Sequence, residues 1–238
     1  MRTSASVRPL TSDQLAAYRR DGYLLVPDLY SGDEMLEWKA HIKDLLLKEK
    51  FSATHGVRVW MNEHLPEYFR PKMADPNVAA ILHQIIGPFD EAQGRPQVEF
   101  LSVKTVFKNS TTTFSSPWHQ DRFYWGGSEK VSIWIALDDA TPENGCLKFI
   151  PGTHKKELPK KVVQVEEGFD NRIEDSVLEG MKVETIPVKR GGAVFFSDLA
   201  VHSSHPNSAG TDRWSMISTY RDRWVKDEST IWKTSMLL

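Results

Sequence analysis

The sequence predicts an α+β domain, mainly β, in which N-terminal helices cover a sandwich or jelly-roll barrel. Two observations predict it. Helical periodicity with capping signals is confined to the part before residue 97. From there the chain turns to "VEFLSVKTVF", "KVSIWIALDD", "CLKFI", "VETIPV", "AVFFSD" and "RWSMISTYRD". These runs are short, rich in β-branched and aromatic residues, and separated by Gly, Pro, Asn or Asp. Helices first and antiparallel strands afterwards make an α+β layer arrangement, and many short strands suit a barrel. The 238 residues suffice for one large β-rich domain, or at most two small ones. We expect one domain over 1–238: a loose tail at 1–10, a helical flank at 11–96, and a barrel at 97–238 with an insertion at 155–182.

Each element has a local reason. Thr11 and Gln14 fit a capping box that opens "SDQLAAYRRD", and Gly22 stops that helix. "YLLV" is a short apolar strand ended by Pro27. Ser31 and Glu34 form a second capping box, with Leu36, Ile42, Leu45 and Leu46 near one helical stripe. Asp75 caps a third helix whose first turn holds Pro76, with Val78, Ile81, Ile85 and Ile86 facing inward. In "VSIWIA", Ser132, Trp134 and Ala136 share one strand face, opposite Val131, Ile133 and Ile135. The charged insertion 155–182 has weak periodicity and reads equally as a functional lid or a solvated loop.

Composition narrows the function. With a net charge of -2 and no long basic stretch, nucleic acid and anionic membrane are poor partners; a small molecule is the expected one. The single cysteine, Cys146, excludes an internal disulfide and the Cys₄ and Cys₂His₂ zinc sites. No apolar run reaches spanning length, the first residues lack a signal-peptide core, and "TSMLL" is not a peroxisomal address. A reducing, cytoplasmic compartment is expected.

Chemistry enters at "PWHQDRFYWGG". In a strand, His119 and Asp121 project to the same side and Gln120 turns away, which suits two ligands of one metal. Pro117 and the aromatic run argue against a helix there. A hydrogen-bonded core histidine beside a surface aspartate is the competing reading of that pair alone. His202 strengthens the first reading, because it ends an apolar strand pair on the expected barrel rim. Two histidines and a carboxylate on one face of a metal form the facial triad of non-haem Fe(II) oxygenases. His205 reads as a turn residue before "PN", and His41, His55, His64, His83 and His154 lack a carboxylate at strand spacing. O₂ chemistry needs a two-electron cosubstrate, and a 2-oxo acid would leave a distal carboxylate to hold. Arg213, eleven residues beyond His202, could return beside it by a hairpin and clamp that carboxylate with its planar fork.

These segments resemble the phytanoyl-CoA dioxygenase family of Fe(II)/2-oxoglutarate oxygenases. The likeness runs through "LTSDQLAAYRRDGYLLVPDLYSGDE", "PWHQD", "WIALDDATPENGCLKFIPGTHK" and "VHSSHPNSAGTDRWS", in that order. It implies a double-stranded β-helix, the jelly-roll or cupin-like barrel. It implies Fe(II) held by His119, Asp121 and His202, with 2-oxoglutarate and O₂ as cosubstrates. It further implies that Arg213 binds the C5 carboxylate, that Ser204 assists it, and that Trp134 borders the cosubstrate, although ordinary core packing explains Trp134 as well. A basic residue from the earlier segment contacts 2-oxoglutarate in some relatives, and Arg58 is the nearest candidate. Because Asp121 stands where halogenases of this type carry Gly or Ala, hydroxylation or another oxidation is expected. Phe123, Tyr124 and Trp125 could floor an apolar pocket or pack in the core. Lys155, Lys156, Lys160 and Lys161 could meet an anionic substrate but read more simply as a solvated loop. The competing functions are a cupin-like binding protein without oxidation, and a zinc hydrolase, for which no motif supplies a general base.

Overall fold

A computed structural model describes residues 8–49, 56–86, 98–163 and 169–238. Most of the expected tail, His55, the end of the flank and residues 164–168 of the insertion lie outside them. The chain opens with α1 (Ser12–Asp21), β1 (Tyr23–Val26), α2 (Gly32–Lys48), β2 (Val57–Met61), α3 (Arg70–Met73) and α4 (Pro76–Ile86). It continues with β3 (Val98–Lys108), α5 (Arg122–Trp125), β4 (Lys130–Ala136), β5 (Leu147–Phe149), β6 (Lys160–Val162), β7 (Asn171–Ile173) and α6 (Asp175–Leu178). It closes with β8 (Glu184–Ile186), β9 (Ala193–Ser197), β10 (His202–Ser204), β11 (Arg213–Asp222) and β12 (Met236–Leu237).

Both capping boxes form: Thr11 and Ser31 accept from the N3 amides, and the Gln14 and Glu34 side chains return to the cap amides. Gly22, at φ 85°, ends α1 in the left-handed region that glycine adopts at least cost. Asp75 accepts from the Asn77 amide and opens α4 as expected. The stripe of α2 differs from expectation. Met35, Trp38, Ile42 and Leu46 are buried, whereas Leu36 is 47% exposed. Trp38 sets the inward face, and Leu36 lies about 100° round the helix from Met35.

The main sheet has seven strands in the order β1-β9-β4-β11-β3-β12, with β2 also paired to β3. A three-stranded sheet, β10-β5-β8, faces it, and β6 pairs with β7. The flank is therefore not purely helical, since it contributes β1 and β2 to the main sheet. Nor is all of the tail loose. Leu10 is buried, and its amide and carbonyl both bond the Gln84 side chain on α4.

The alternation in β4 divides the core. Val131, Ile133 and Ile135 join Trp38, Ile42, Ile81 and Leu82 beneath the helices. Trp134 and Ala136 point into the barrel with Val194, Phe196, Ile217, Leu147 and Phe149. The register extends that inner face across the sheet. Lys104 pairs with Ile217, Val106 with Ser215, and Lys108 with Arg213. Among the described residues no helix is long and apolar enough to cross a membrane.

Candidate metal centre and cosubstrate pocket

His119, Asp121 and His202 converge. Their ligand atoms all lie within 4.8 Å of one another, and all three residues are buried. His119 Nε2 lies 3.6 Å and His202 Nε2 3.9 Å from Asp121 Oδ1. The two histidines face each other across an isolated antiparallel bridge, each amide donating to the other's carbonyl at 3.1 Å.

The local conformation at Asp121 differs from the expected strand. Asp121 has helical dihedrals, φ -60° and ψ -29°, and leads directly into the single turn α5. Strand spacing therefore does not align the pair; a bridge residue followed by a helical turn does. Asp198, just beyond β9, pins that turn. Its carboxylate accepts two bonds from the Arg122 fork, at 2.8 and 3.0 Å, and one from Trp125 Nε1 at 3.0 Å. Gln120 does turn away, donating to the Lys156 and Leu199 carbonyls and accepting from the Leu158 amide.

The donor set fits iron. His119 Nδ1 bonds the Pro117 carbonyl at 2.8 Å, and His202 Nδ1 bonds the Ala200 carbonyl at 2.9 Å. A carbonyl only accepts, so each Nδ1 carries a proton and each Nε2 is left on the Asp121 side as the ligating atom. Burial, then the neighbouring His119, pushes His202 down to about 3, so its imidazole stays neutral. Burial raises the Asp121 carboxyl, but the Lys104 charge and the two imidazoles outweigh it and hold the group well below the usual carboxylate range. Two imidazoles and one carboxylate are the hard and intermediate donors that suit Fe(II).

Arg213 arrives by a different route from the expected hairpin. β11 pairs with β3 and β4 in the main sheet, while β10 belongs to the smaller one. The guanidinium therefore faces the barrel interior from the sheet opposite the one that carries His202. It is 2% exposed, its Nε has no hydrogen-bond partner, and its Cζ lies 5.6 Å from the centre of the Trp134 ring. Ser204 accepts from Lys108 Nζ at 2.8 Å and from the Ser116 amide at 3.0 Å. Lys108 thus spans from the Arg213 wall to the strand that carries His202.

Two lysines that no sequence motif marks also face the barrel interior. Lys104 and Lys108 occupy the same inner face of β3. Only the register exposes them, because a lysine in an apolar strand has no motif of its own. Arg58 is not part of the site. It sits on the helix-side face of β2, in register with Thr105, and bonds Glu49 at 2.7 Å. Its neighbours in β2 on the inner face, Val57 and Val59, present no charge.

The insertion packs against the centre. The Phe169 ring stands edge-on to His119 at 5.1 Å, Tyr124 does so at 5.9 Å, and the Tyr124 hydroxyl donates to the Asn171 carbonyl. Phe123 joins a small satellite core of Ile150, Leu158, Ile173 and Val201, and Trp125 packs on Trp232. Lys160 lies over the Phe123 ring and Lys161 pairs with Asp175. Lys155 and Lys156 line a cleft of about 730 Å³ with Arg20 and Lys182, and none of the three ligand candidates borders it.

A two-sheet antiparallel barrel with a His-Asp-His cluster on its inner wall defines the class: a 2-oxoglutarate-dependent non-haem iron oxygenase, with iron and 2-oxoglutarate as its cofactors. Within that class, the model of the family described as phytanoyl-CoA dioxygenase (PhyH) matches residues 18–215, and the chain belongs to this family. It is 24% identical to phytanoyl-CoA dioxygenase domain-containing protein 1 of Danio rerio, over 94% of this chain and 92% of that one. It is 27% identical to the L-proline trans-4-hydroxylase of Streptomyces griseoviridis, covering 87% of this chain and 85% of that protein. The crystal structure of EvdO2 from Micromonospora carbonacea var. aurantiaca complexed with 2-oxoglutarate superposes with a TM-score of 0.72 at 21% identity, over 95% of both chains. That likeness establishes the shared double-stranded β-helix.

Proposed function

We propose that the protein hydroxylates a small organic molecule, consuming 2-oxoglutarate and O₂ and releasing succinate and CO₂. The observation that carries this reading is the buried His119–Asp121–His202 cluster, with both Nε2 atoms turned to the Asp121 carboxylate. The relative named as a proline hydroxylase supports a small substrate and a hydroxylation outcome.

His119, His202 and Asp121 would hold the iron, and Arg213 would hold the distal carboxylate of 2-oxoglutarate, with Ser204 beside it and Trp134 as a flat wall. Iron with 2-oxoglutarate supplies O₂ activation and oxidising power toward a C–H bond. The chain's own work is placement. Pro117 and Ala200 carbonyls fix the imidazole tautomers. Asp198 and Arg122 hold the turn that aims Asp121. Ser132 Oγ, 3.4 Å from Asp121 Oδ2, supports the other carboxylate oxygen. Phe169 and Tyr124 wall the His119 side and exclude water.

The test is a compound library screened for succinate release that depends on the added compound. Asp121→Ala should lower that release at least ~100-fold and abolish the metal-to-ligand charge-transfer band of the anaerobic Fe(II)–2-oxoglutarate mixture. Unchanged turnover in the variant would refute the metal assignment.

A further inference from the structure

Lys108 has no exposed surface. Its ammonium donates to Ser204 Oγ at 2.8 Å and to the His205 carbonyl, and lies 4.9 Å from the centre of the Phe114 ring. The groove it occupies depends on Gly145. That glycine has φ +106°, and a Cβ there would stand 2.7 Å from Lys108 Cδ. The groups facing Lys108 offer no negative charge. Across the register stands Arg213, from β5 comes Lys148, and before β5 lies Cys146. Burial pushes the Cys146 thiol up to about 11, so it is neutral. Asp138, the acid whose field reaches Arg213, already accepts from Lys39, Arg190 and the Trp214 amide. Among the described residues neither Lys108 nor Arg213 makes an ion pair.

Two buried cations side by side without an acid are costly to keep charged. We propose that Lys108 is a second anchor for the distal carboxylate of the cosubstrate, and that cosubstrate binding draws one proton from solvent. This rests on 2-oxoglutarate binding with that carboxylate on Arg213. Burial, then the Arg213 charge, pushes Lys108 down to about 6, so near neutral pH the amine is mostly unprotonated. An arriving carboxylate reverses the balance: opposite charge at short range restores the ammonium, and the proton comes from the buffer. In the neutral state Lys108 still donates an N–H to Ser204. Ser204 thereby keeps its own proton for Ser116 Oγ, 2.7 Å away, or for the incoming carboxylate.

The experiment is calorimetric titration of 2-oxoglutarate into Mn(II)-loaded protein at pH 7.5, in two buffers of unlike ionisation enthalpy. The same titration with 2-oxopentanoate, which has a methyl in place of the distal carboxylate, reports the protons exchanged at the metal. We expect close to one additional proton taken up with 2-oxoglutarate, and an affinity that weakens about tenfold per pH unit above 7. Lys108→Met should remove both the uptake and the slope. No additional uptake by the wild-type protein, or uptake retained in the variant, would overturn the proposal while leaving the oxygenase reading in place. Failure of 2-oxoglutarate to bind at all would overturn both. The wild-type measurement stands without the variant, so a folding defect in Lys108→Met does not blunt the test.

Discussion

β11 carries an arginine near each end, and their surroundings are opposite. At one end Arg221 bonds Glu99 and Asp227, and Asp227 also takes the ammonium of fully buried Lys130 at 3.0 Å. Lys130 donates further to the Gly126 and Ser128 carbonyls. At the other end Arg213 and the equally buried Lys108 lie in register with no acid between them. Both ends place a lysine and an arginine in register on adjacent strands, yet only the first balances their charge within the chain. Cations matched by protein acids hold the fold together. Cations left unmatched in a barrel interior destabilise the fold and are explained by a ligand that brings the missing charge.

That contrast can be broken in four ways. The largest effect should come from Arg213→Met. Loss of a charge-assisted fork is expected to weaken 2-oxoglutarate by about 2–3 kcal/mol, roughly 30- to 150-fold, in calorimetric titration. The melting temperature should hold or rise, because an unmatched buried charge has gone; unaltered affinity would dissolve the distinction between the two ends. Next, Asp227→Asn strips Lys130 and Arg221 of their shared acid. Thermal unfolding should then show a loss of about 3 kcal/mol while 2-oxoglutarate affinity stays within about twofold.

The third is a pH slope. Lys108 is depressed in the folded chain, so between about 6 and its ordinary value the unfolded chain binds the extra proton. Stability of the ligand-free protein should therefore rise with pH across that window, by about 1 kcal/mol per pH unit relative to Lys108→Met. Denaturant midpoints that run parallel for the two proteins from pH 7 to 9 would contradict this. The smallest effect belongs to Arg58→Ala. A half-exposed ion pair with Glu49 on the face away from the site should be worth less than about 1 kcal/mol, and succinate release should be unchanged.

How far each part of the molecule is legible depends on the range of the forces that shape it. The capping boxes at Thr11 and Ser31 and the stop at Gly22 are written in residues within one helical turn of each other. The two faces of β4 follow from period-two alternation alone, and the structure sorts Trp134 from Ile133 as that alternation requires. β2 escaped because its five residues carry no strong alternation and owe their strand to pairing with β3. β10 has three residues and exists as a partner for β5.

The candidate site splits the same way. His119, Asp121, His202 and Arg213 were readable because their types and spacings match a known chemistry. Their placement departs from strand spacing and from a hairpin return. Asp121 reaches its neighbours from a helical turn held by Asp198, and Arg213 crosses the barrel instead of folding back on a hairpin. Asp198, Lys104 and Lys108 could not be singled out, since each is an ordinary charged residue until the register shows what it faces.

By itself, then, the amino-acid order determined the residue types available for chemistry, the boundaries of the capped helices and which strand residues share a side, because these depend on covalent geometry and near neighbours. Tertiary structure alone decided which side of each strand became the barrel interior, which cations found an acid and which did not. Those outcomes turn on contacts between segments some hundred residues apart, where strand register, and not local sequence, sets the distance between charges.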